Sequence, residues 1–476
     1  MTIPFWTALL PVRSWPLLLA HVLIAGAVSV HVLLTKRDIG AAIGWIGLGW
    51  LSPFLGGALY YVFGINRVHR RGARLRRGKP QVAPERPFTQ GGAEDAELAP
   101  LDRAAHHITR RPATLGNTVE PLHNGDAAYP RMIAAIDAAR GSVALCSYIL
   151  RADAAGLPFL EALSRAAARG VAVRVLMDGI GSGYFVSPAY RYLRARAVPA
   201  ARFMHSSKPW LMPFLNLRTH RKLLVVDGAL AFTGGLNIGA ENVLASQPRH
   251  PVRDMHFALT GPVVAQLMDA FAQDWRFATD EELTGAAWFP DLAPAGDCVA
   301  RVVTSGPDRE LERIEVLALV AVTCARRSVR IMTPYFLPEE RIVTALALAA
   351  MRGVEVDIVI PRQSNQPLVD RATRANVGPL LQAGCRIWRG PPPFEHSKLM
   401  VVDDNWALIG SANWDMRSFR LNFEMNVEVT HDALAKTLAT HIEARFGDRL
   451  TAAELARRPL PTRLLDAAIR LLLPYL

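Results

Sequence analysis

Two distant segments carry the same reactive residue types at the same spacing. The first reads Arg218-Thr219-His220-Arg221-Lys222, then an apolar run to Asp227-Gly228 and Gly234-Gly235-Leu236-Asn237. The second reads Glu395-His396-Ser397-Lys398, then an apolar run to Asp403-Asp404 and Gly410-Ser411-Ala412-Asn413. In both, Lys follows His by two residues, Asp by seven and Asn by seventeen. Two imidazoles, two ammonium groups and two amides suit phosphodiester transfer: one imidazole attacks phosphorus while the other protonates the departing alcohol. The lysines and asparagines would neutralise the phosphoryl oxygens, a task metals perform elsewhere, so neither a metal ion nor a cofactor is expected. Each imidazole also needs an acceptor on its far nitrogen, and Asp254 and Glu424 are the candidates.

The spacing implies the elements that hold these groups. Residues two apart on a strand share a face, so His and Lys point together while the apolar run buries the strand. Asp227 and Asp403 fall at the following hairpin turn and are expected to fix it rather than touch substrate. Helix-like stretches (132–140, 159–169) alternate with β-rich runs (143–149, 171–177), which predicts α/β layers. Residues 167–175 have a counterpart in 350–358, and Ser147-Tyr148-Ile149 in Pro334-Tyr335-Phe336, so one α/β unit occurs twice. Two similar lobes packed face to face are expected, with a first lobe at 117–291, a second at 292–460 and a tail at 461–476.

The chain has 476 residues, 51% apolar and 20% charged, which excludes an intrinsically disordered protein. The apolar excess is concentrated near the N-terminus. Residues 15–34 lack a formal charge and, at about 1.5 Å per residue, just cover a hydrocarbon core of roughly 30 Å. A second uncharged stretch, 39–64, carries Trp45, Trp50, Tyr60 and Tyr61 as an interfacial belt, so residues 1–66 are expected to form a transmembrane hairpin. Residues 65–80 hold seven Lys and Arg and no acid, a large share of the net +12. That places the basic side, and the lobes beyond it, on the cytoplasmic face of a multi-pass protein. Residues 67–116 are expected to be collar and tether. The lobes are close to neutral, which argues against nucleic acid as partner, while the collar suits anionic headgroups. Cys146, Cys298, Cys324 and Cys385 are expected as buried, reduced thiols. Nothing in the sequence sets an oligomeric state.

The paired HxK(x)4D motifs with trailing GGxN and GSxN resemble those of the phospholipase D superfamily. Thr333-Pro334-Tyr335-Phe336-Leu337-Pro338, Asn413-Trp414-Asp415-Met416-Arg417-Ser418-Phe419 and Leu421-Asn422-Phe423-Glu424 are similar to the branch of bacterial cardiolipin synthases. The resemblance implies two phospholipase D-like lobes, each a mixed β-sheet flanked by helices, packed pseudo-symmetrically behind the hairpin in the bacterial inner membrane. It implies a ping-pong reaction in which a phosphatidyl group passes from one phosphatidylglycerol, through phosphohistidine, to a second, releasing glycerol. His220, Lys222, Asp227, His396, Lys398 and Asp403 make up the catalytic signature, with His220 as nucleophile and His396 as acid and base. Asn237, Asn413, Ser411, Asp254 and Glu424 support it. Asn242 and Trp414 depart from the family pattern. Hydrolysis of phospholipid and, further off, cleavage of DNA are the alternatives. The apolar segment 209–215 could admit acyl chains or pack under the site, and the tail from Leu464 could lie on the membrane or dock on a lobe.

Overall fold

The computed structural model describes residues 15–36, 39–64, 97–205, 217–307 and 310–471. The basic run 65–80, the apolar segment 209–215 and the last five residues of the tail lie outside them. The chain divides into two compact units, Met1–Gly72 and Ala73–Leu476.

In the N-terminal unit, Trp15–Thr35 forms one 21-residue helix, the one described helix long and apolar enough to cross a membrane. The expected second span is not a single helix. Ile39–Leu51 stops at Ser52, because Pro53 has no N–H to continue the ladder and instead opens a new helix, Pro53–Leu59, which ends in a π-turn at Tyr60–Gly64. Trp50 and Tyr61 are exposed, as a belt requires, but Tyr60 is buried against Trp45 and meets His31 Nδ1 at 2.6 Å through its hydroxyl. Trp50 Nε1 donates to Ser29 Oγ at 3.0 Å, tying the two helices together.

In the second unit the repeat seen in the sequence becomes a repeat of strand order. The antiparallel pair Thr114–His123 and Cys298–Ser305 stands at the centre of one large sheet. Outward on one side run Met255–Thr260, Leu230–Gly234, Leu223–Val226, Ser142–Ser147, Ala172–Asp178 and Ala200–Phe203. On the other side run Asn422–Thr430, Trp406–Gly410, Leu399–Val402, Ser328–Met332, Glu355–Pro361 and Arg386–Gly390, with Asp448–Leu450 added at the edge. The same parallel and antiparallel pairings occur in both halves, which makes them pseudo-symmetric. They are not stacked face to face as expected, however. They join edge to edge through the central pair, because backbone groups at a sheet edge seek partners as strongly as apolar faces seek burial.

One sheet face is covered by Val263–Thr279 and Asp432–Glu443, which share a core with Phe257, Val302, Phe423 and Val427 from both halves. The opposite face has a separate core in each half, under Asn124–Ala138 and Gly156–Ala168 in one and Arg313–Cys324 and Glu340–Met351 in the other. Order also begins earlier than the Pro- and Gly-rich composition suggests. Ala99–Thr109 is a helix that buries Leu101 and Ala105 in the second-half core, and its Asp102 pairs with the buried Arg301. Three cysteines are buried, whereas Cys324 is half-buried, and all four are free. The tail helix Leu460–Arg470 docks on the second half, burying Ile469 against Leu337 and Val369 while Leu460, Leu464 and Leu465 remain exposed.

The two motif aspartates are structural. Asp227 and Asp403 adopt left-handed conformations, φ +51° and +52°, at the turn after each strand. The Asp227 carboxylate accepts N–H bonds from Arg140, Gly141 and Ser142, and Asp403 accepts from Arg326, Arg327 and Ser328. Their place in the catalytic signature is therefore corrected: neither lines the cavity that holds the histidines. Each ties the HxK strand to the start of the neighbouring strand. Replacing Asp227 by Ala should destabilise the fold by about 1–3 kcal/mol, since it strands N–H donors and leaves Ala at positive φ. Denaturant unfolding of detergent-solubilised protein measures this, and an unchanged midpoint would count against the anchoring role.

Candidate active site

The HxK segments meet where the halves cross. Arg218–Thr219 pairs in parallel with Asn422–Phe423, and Phe394–Glu395 pairs in the same way with Val252–Arg253. His220 N–H donates to Phe423 O at 2.8 Å and His396 N–H to Arg253 O at 2.7 Å. Each histidine is thus pinned beside the residue that precedes the other half's buried carboxylate. His220 Nδ1 lies 3.0 Å from Glu424, and His396 Nδ1 lies 2.7 Å from Asp254. An ionised carboxylate only accepts, so each Nδ1 carries the proton and each Nε2 keeps a free lone pair. Both residues chosen as orienting acceptors fill that place. Their exchange between halves is beyond what the motif spacing shows.

The carboxylates are themselves held. Glu424 accepts from Ser411 Oγ at 2.5 Å and from Asn422 Nδ2 at 3.1 Å. Asp254 accepts from the Met255 N–H at 2.8 Å and packs against Gly235, where a Cβ would lie 2.2 Å from its Oδ1. Gly235 and Ser411 occupy equivalent positions in the two GxxN segments. Where the carboxylate is short the partner position must be Gly, and where it is long a Ser hydroxyl caps it. This explains why one copy reads GGxN and the other GSxN.

Lys222 and Lys398 lie just before the strands Leu223–Val226 and Leu399–Val402 and turn back, each ammonium donating to the carbonyl of the histidine two residues earlier, His220 O at 2.6 Å and His396 O. Both are buried. Burial pushes Lys222 down to about 7 and Lys398 to about 8; Lys398 adds to the shift at Lys222, and the two carboxylates oppose the shift at both lysines. Burial likewise lowers His220 and His396 to about 4, so both imidazoles are neutral at pH 7. Burial alone would raise Asp254 and Glu424. Their histidines and the lysines outweigh it and hold both below the ordinary carboxylate range.

His220, His396, Asn237 and Asn413 line one cavity of about 550 Å³. The Oδ1 atoms of both asparagines are buried in its wall without a hydrogen-bond partner. Asn242 also lines it, whereas Trp414 packs in the core against Phe336 and Phe419. Sequence reasoning passed over Tyr148, whose ring lies 4.9 Å from His220 and 5.3 Å from Lys222 Nζ. Its match with Tyr335, also in the wall, was the available signal.

A family profile described as "Cardiolipin synthase, PLD-like domain" matches residues 132–275 and 320–446, the segments that carry both HxK motifs, Asp254 and Glu424. The chain belongs to this phospholipase D-like cardiolipin synthase family. The protein named cardiolipin synthase of Geobacillus thermodenitrificans strain NG80-2 is 32% identical over 464 residues, 94% of this chain and 91% of the relative. Cardiolipin synthase A of Pseudomonas putida strain GB-1 is 34% identical over 429 residues, covering 88% of each. Among solved structures, phosphatidylserine synthase from Haemophilus influenzae Rd KW20 has the same fold, with a TM-score of 0.60 at 16% identity, covering 79% of this chain and 100% of that one.

In an unfolded chain a histidine titrates near 6.5, above the folded value of about 4. The unfolded state therefore binds the proton first, and stability present above pH 6.5 is lost as pH falls toward 4. For catalysis, Glu424→Gln removes the charge that opposes burial at His220. It should lower turnover by about 10²–10⁴-fold and move the acid limb of the pH–rate profile to lower pH. Asp254→Asn should lower turnover to a similar extent and, because His396 must carry a proton to release the first alcohol, draw the alkaline limb to lower pH. A uniform loss of rate with both limbs unmoved would assign the carboxylates a purely structural role.

Proposed function

We propose that this chain is a membrane phosphatidyltransferase that converts two molecules of phosphatidylglycerol into cardiolipin and glycerol. The observation that supports it most is the pair of neutral imidazoles, each backed by a carboxylate from the other half, sharing one cavity with Asn237 and Asn413, with a buried lysine two residues after each histidine. His220 Nε2 attacks the phosphorus of the first lipid, and the bond from phosphorus to the glycerol oxygen breaks. His396 supplies the proton that glycerol carries away. The hydroxyl of the second phosphatidylglycerol then gives its proton back to His396 and attacks the phosphohistidine, freeing His220. Lys222, Lys398 and the amides of Asn237 and Asn413 hold the non-bridging oxygens. His220 is assigned as nucleophile because the carboxylate behind it is fixed by both Ser411 and Asn422, which suits a ring that must keep its position through a covalent intermediate.

Burial, more than any neighbouring charge, keeps both imidazoles neutral and depresses both lysines. Bringing a phosphodiester next to His396, Lys222 and Lys398 favours their protonated forms, so substrate binding itself equips the general acid. The lobes are assigned to the cytoplasmic side of the bacterial inner membrane in a multi-pass topology, supported by the Trp15–Thr35 helix and the seven basic residues of 65–80.

Purified protein in mixed micelles with labelled phosphatidylglycerol should yield cardiolipin and glycerol in equal amounts. Phosphatidic acid as the sole product would make the protein a hydrolase, and a requirement for added phosphatidylethanolamine would change the donor. Quenching at alkaline pH, which spares phosphoramidates, should leave the phosphatidyl label on the peptide containing His220. Label on the His396 peptide would reverse the two roles.

A further inference from the structure

The catalytic centre is nearly symmetric, but the two ends of its cavity are not. Counting from each HxK motif, Arg218 is equivalent to Phe394, and counting from each Asn, Arg417 is equivalent to Glu241. Counting back from each buried carboxylate, Asn422 is equivalent to Val252. All six residues line the cavity. They form two sets: Arg218 and Asn422 sit on paired strands with Arg417 on the short helix just before Asn422, while Phe394 and Val252 sit on the matching pair. One end therefore has two guanidinium groups and an amide where the other has a phenyl ring, a valine and a carboxylate. That carboxylate, Glu241, is already paired with Arg151 at 3.2 Å.

The guanidinium groups are not neutralised in this way. Among the described residues Arg218 donates one bond, to the Tyr148 hydroxyl at 2.7 Å, and its Nε is buried without a partner. Arg417 makes no side-chain hydrogen bond or ion pair among the described residues, and its Nη2 is likewise buried and unpartnered. Acids stand nearby, Asp415 in the same cavity wall among them, and their charges offset part of the cationic charge without a hydrogen bond to either guanidinium among the described residues. Asp178 accepts from the Ile180, Gly181 and Thr219 N–H groups, and Asp415 from that of Ser418. Burial and the charge of Arg218 together depress the Arg417 pKa. Two like charges with idle donors in a cavity wall form an incomplete anion site, since a buried donor without an acceptor is destabilising.

We propose that Arg218 and Arg417 bind the phosphodiester of the acceptor lipid, the phosphate one glycerol unit away from the phosphorus that reacts. The inference rests on the proposed transfer between two phosphatidylglycerols. In that reaction the departing glycerol carries no second phosphate and the incoming one does, so a symmetric centre needs one cationic end for the acceptor. Tyr148 joins this end to the centre: its ring packs on His220 and its hydroxyl holds Arg218. Guanidinium groups suit the task because their planar donors match phosphate oxygens in pairs.

The test is a competition for one intermediate. The phosphohistidine formed from labelled phosphatidylglycerol partitions between unlabelled phosphatidylglycerol, giving cardiolipin, and 1,3-propanediol, giving phosphatidylpropanediol. The diol offers the same hydroxyl and spacer without the phosphate. Arg417→Gln and Arg218→Gln should each lower the ratio of cardiolipin to phosphatidylpropanediol by about ten-fold or more, with Arg417→Lys in between. The ratio does not depend on how much enzyme folds or how fast the donor reacts. An unchanged ratio, with both products falling together, would overturn the acceptor role and leave the transferase reading standing. A wild-type protein that makes no cardiolipin would remove that reading, and this inference with it.

Discussion

Each motif histidine depends on a carboxylate from the other half of the chain. His220 leans on Glu424 and His396 on Asp254, and both carboxylates are almost completely buried. A carboxylate in that position is tolerable only with charge and hydrogen bonds around it, so neither half can close its own site. The requirement extends into the backbone, where each HxK segment adds as a short strand beside the other half's carboxylate-bearing segment. The seam and the site are thus one structure. Anything that opens the seam strips both imidazoles of their orienting partner.

The rest of the second unit reinforces that seam. The strands Thr114–His123 and Cys298–Ser305 pair at the centre of the sheet, and the core beneath them draws side chains from both halves. Buried arginines fasten it further. Arg221, between His220 and Lys222, pairs with Asp274 at 2.7 Å on the covering helix and with Glu310 at 3.7 Å. Arg301 on the central strand pairs with Glu428 at 3.2 Å and with Asp102 of the Ala99–Thr109 helix. Breaking one partner of such a pair leaves an uncompensated charge in the interior, which makes the arrangement specific even where its net contribution is small.

Much of this was legible in the residues because short-range rules govern it. The Asp at the turn follows from its tolerance of positive φ and the repeat from matched segments, whereas the HxK residues lie between strands rather than on one, and only their histidines line the cavity, against the strand-period expectation. Asp254 and Glu424 could be chosen because a histidine used for chemistry needs an acceptor behind it. Which carboxylate serves which histidine depends on how two distant halves meet, and no local pattern carries that. The same limit explains the stacking of the lobes: a strand edge looks alike in sequence whether it is free or paired with its counterpart. The helix Ala99–Thr109 was hidden for another reason, since its stability comes from docking on the second-half core rather than from its own composition. The second apolar stretch showed its hydrophobicity clearly but concealed its break, which turns on Ser52 and Pro53.

The pairing of Gly235 with Asp254 and Ser411 with Glu424 shows how two copies of one unit can diverge without losing a shared centre. A one-carbon difference in the carboxylate is absorbed at the opposite wall, by removing a side chain in one copy and adding a hydroxyl in the other. Both imidazoles then keep similar contacts and similarly depressed pKa values. A reaction whose two halves mirror each other, alcohol out and alcohol in at one phosphorus, places a matching demand on the chemistry. The group that protonates the first oxygen must deprotonate the second. An imidazole held neutral by burial and pushed toward protonation by the incoming phosphate can meet both demands, provided the lysines gain charge with it. Their values of about 7 and 8 place that gain within reach of a single bound anion. The burial that holds these groups close to their point of protonation is therefore a condition for the chemistry.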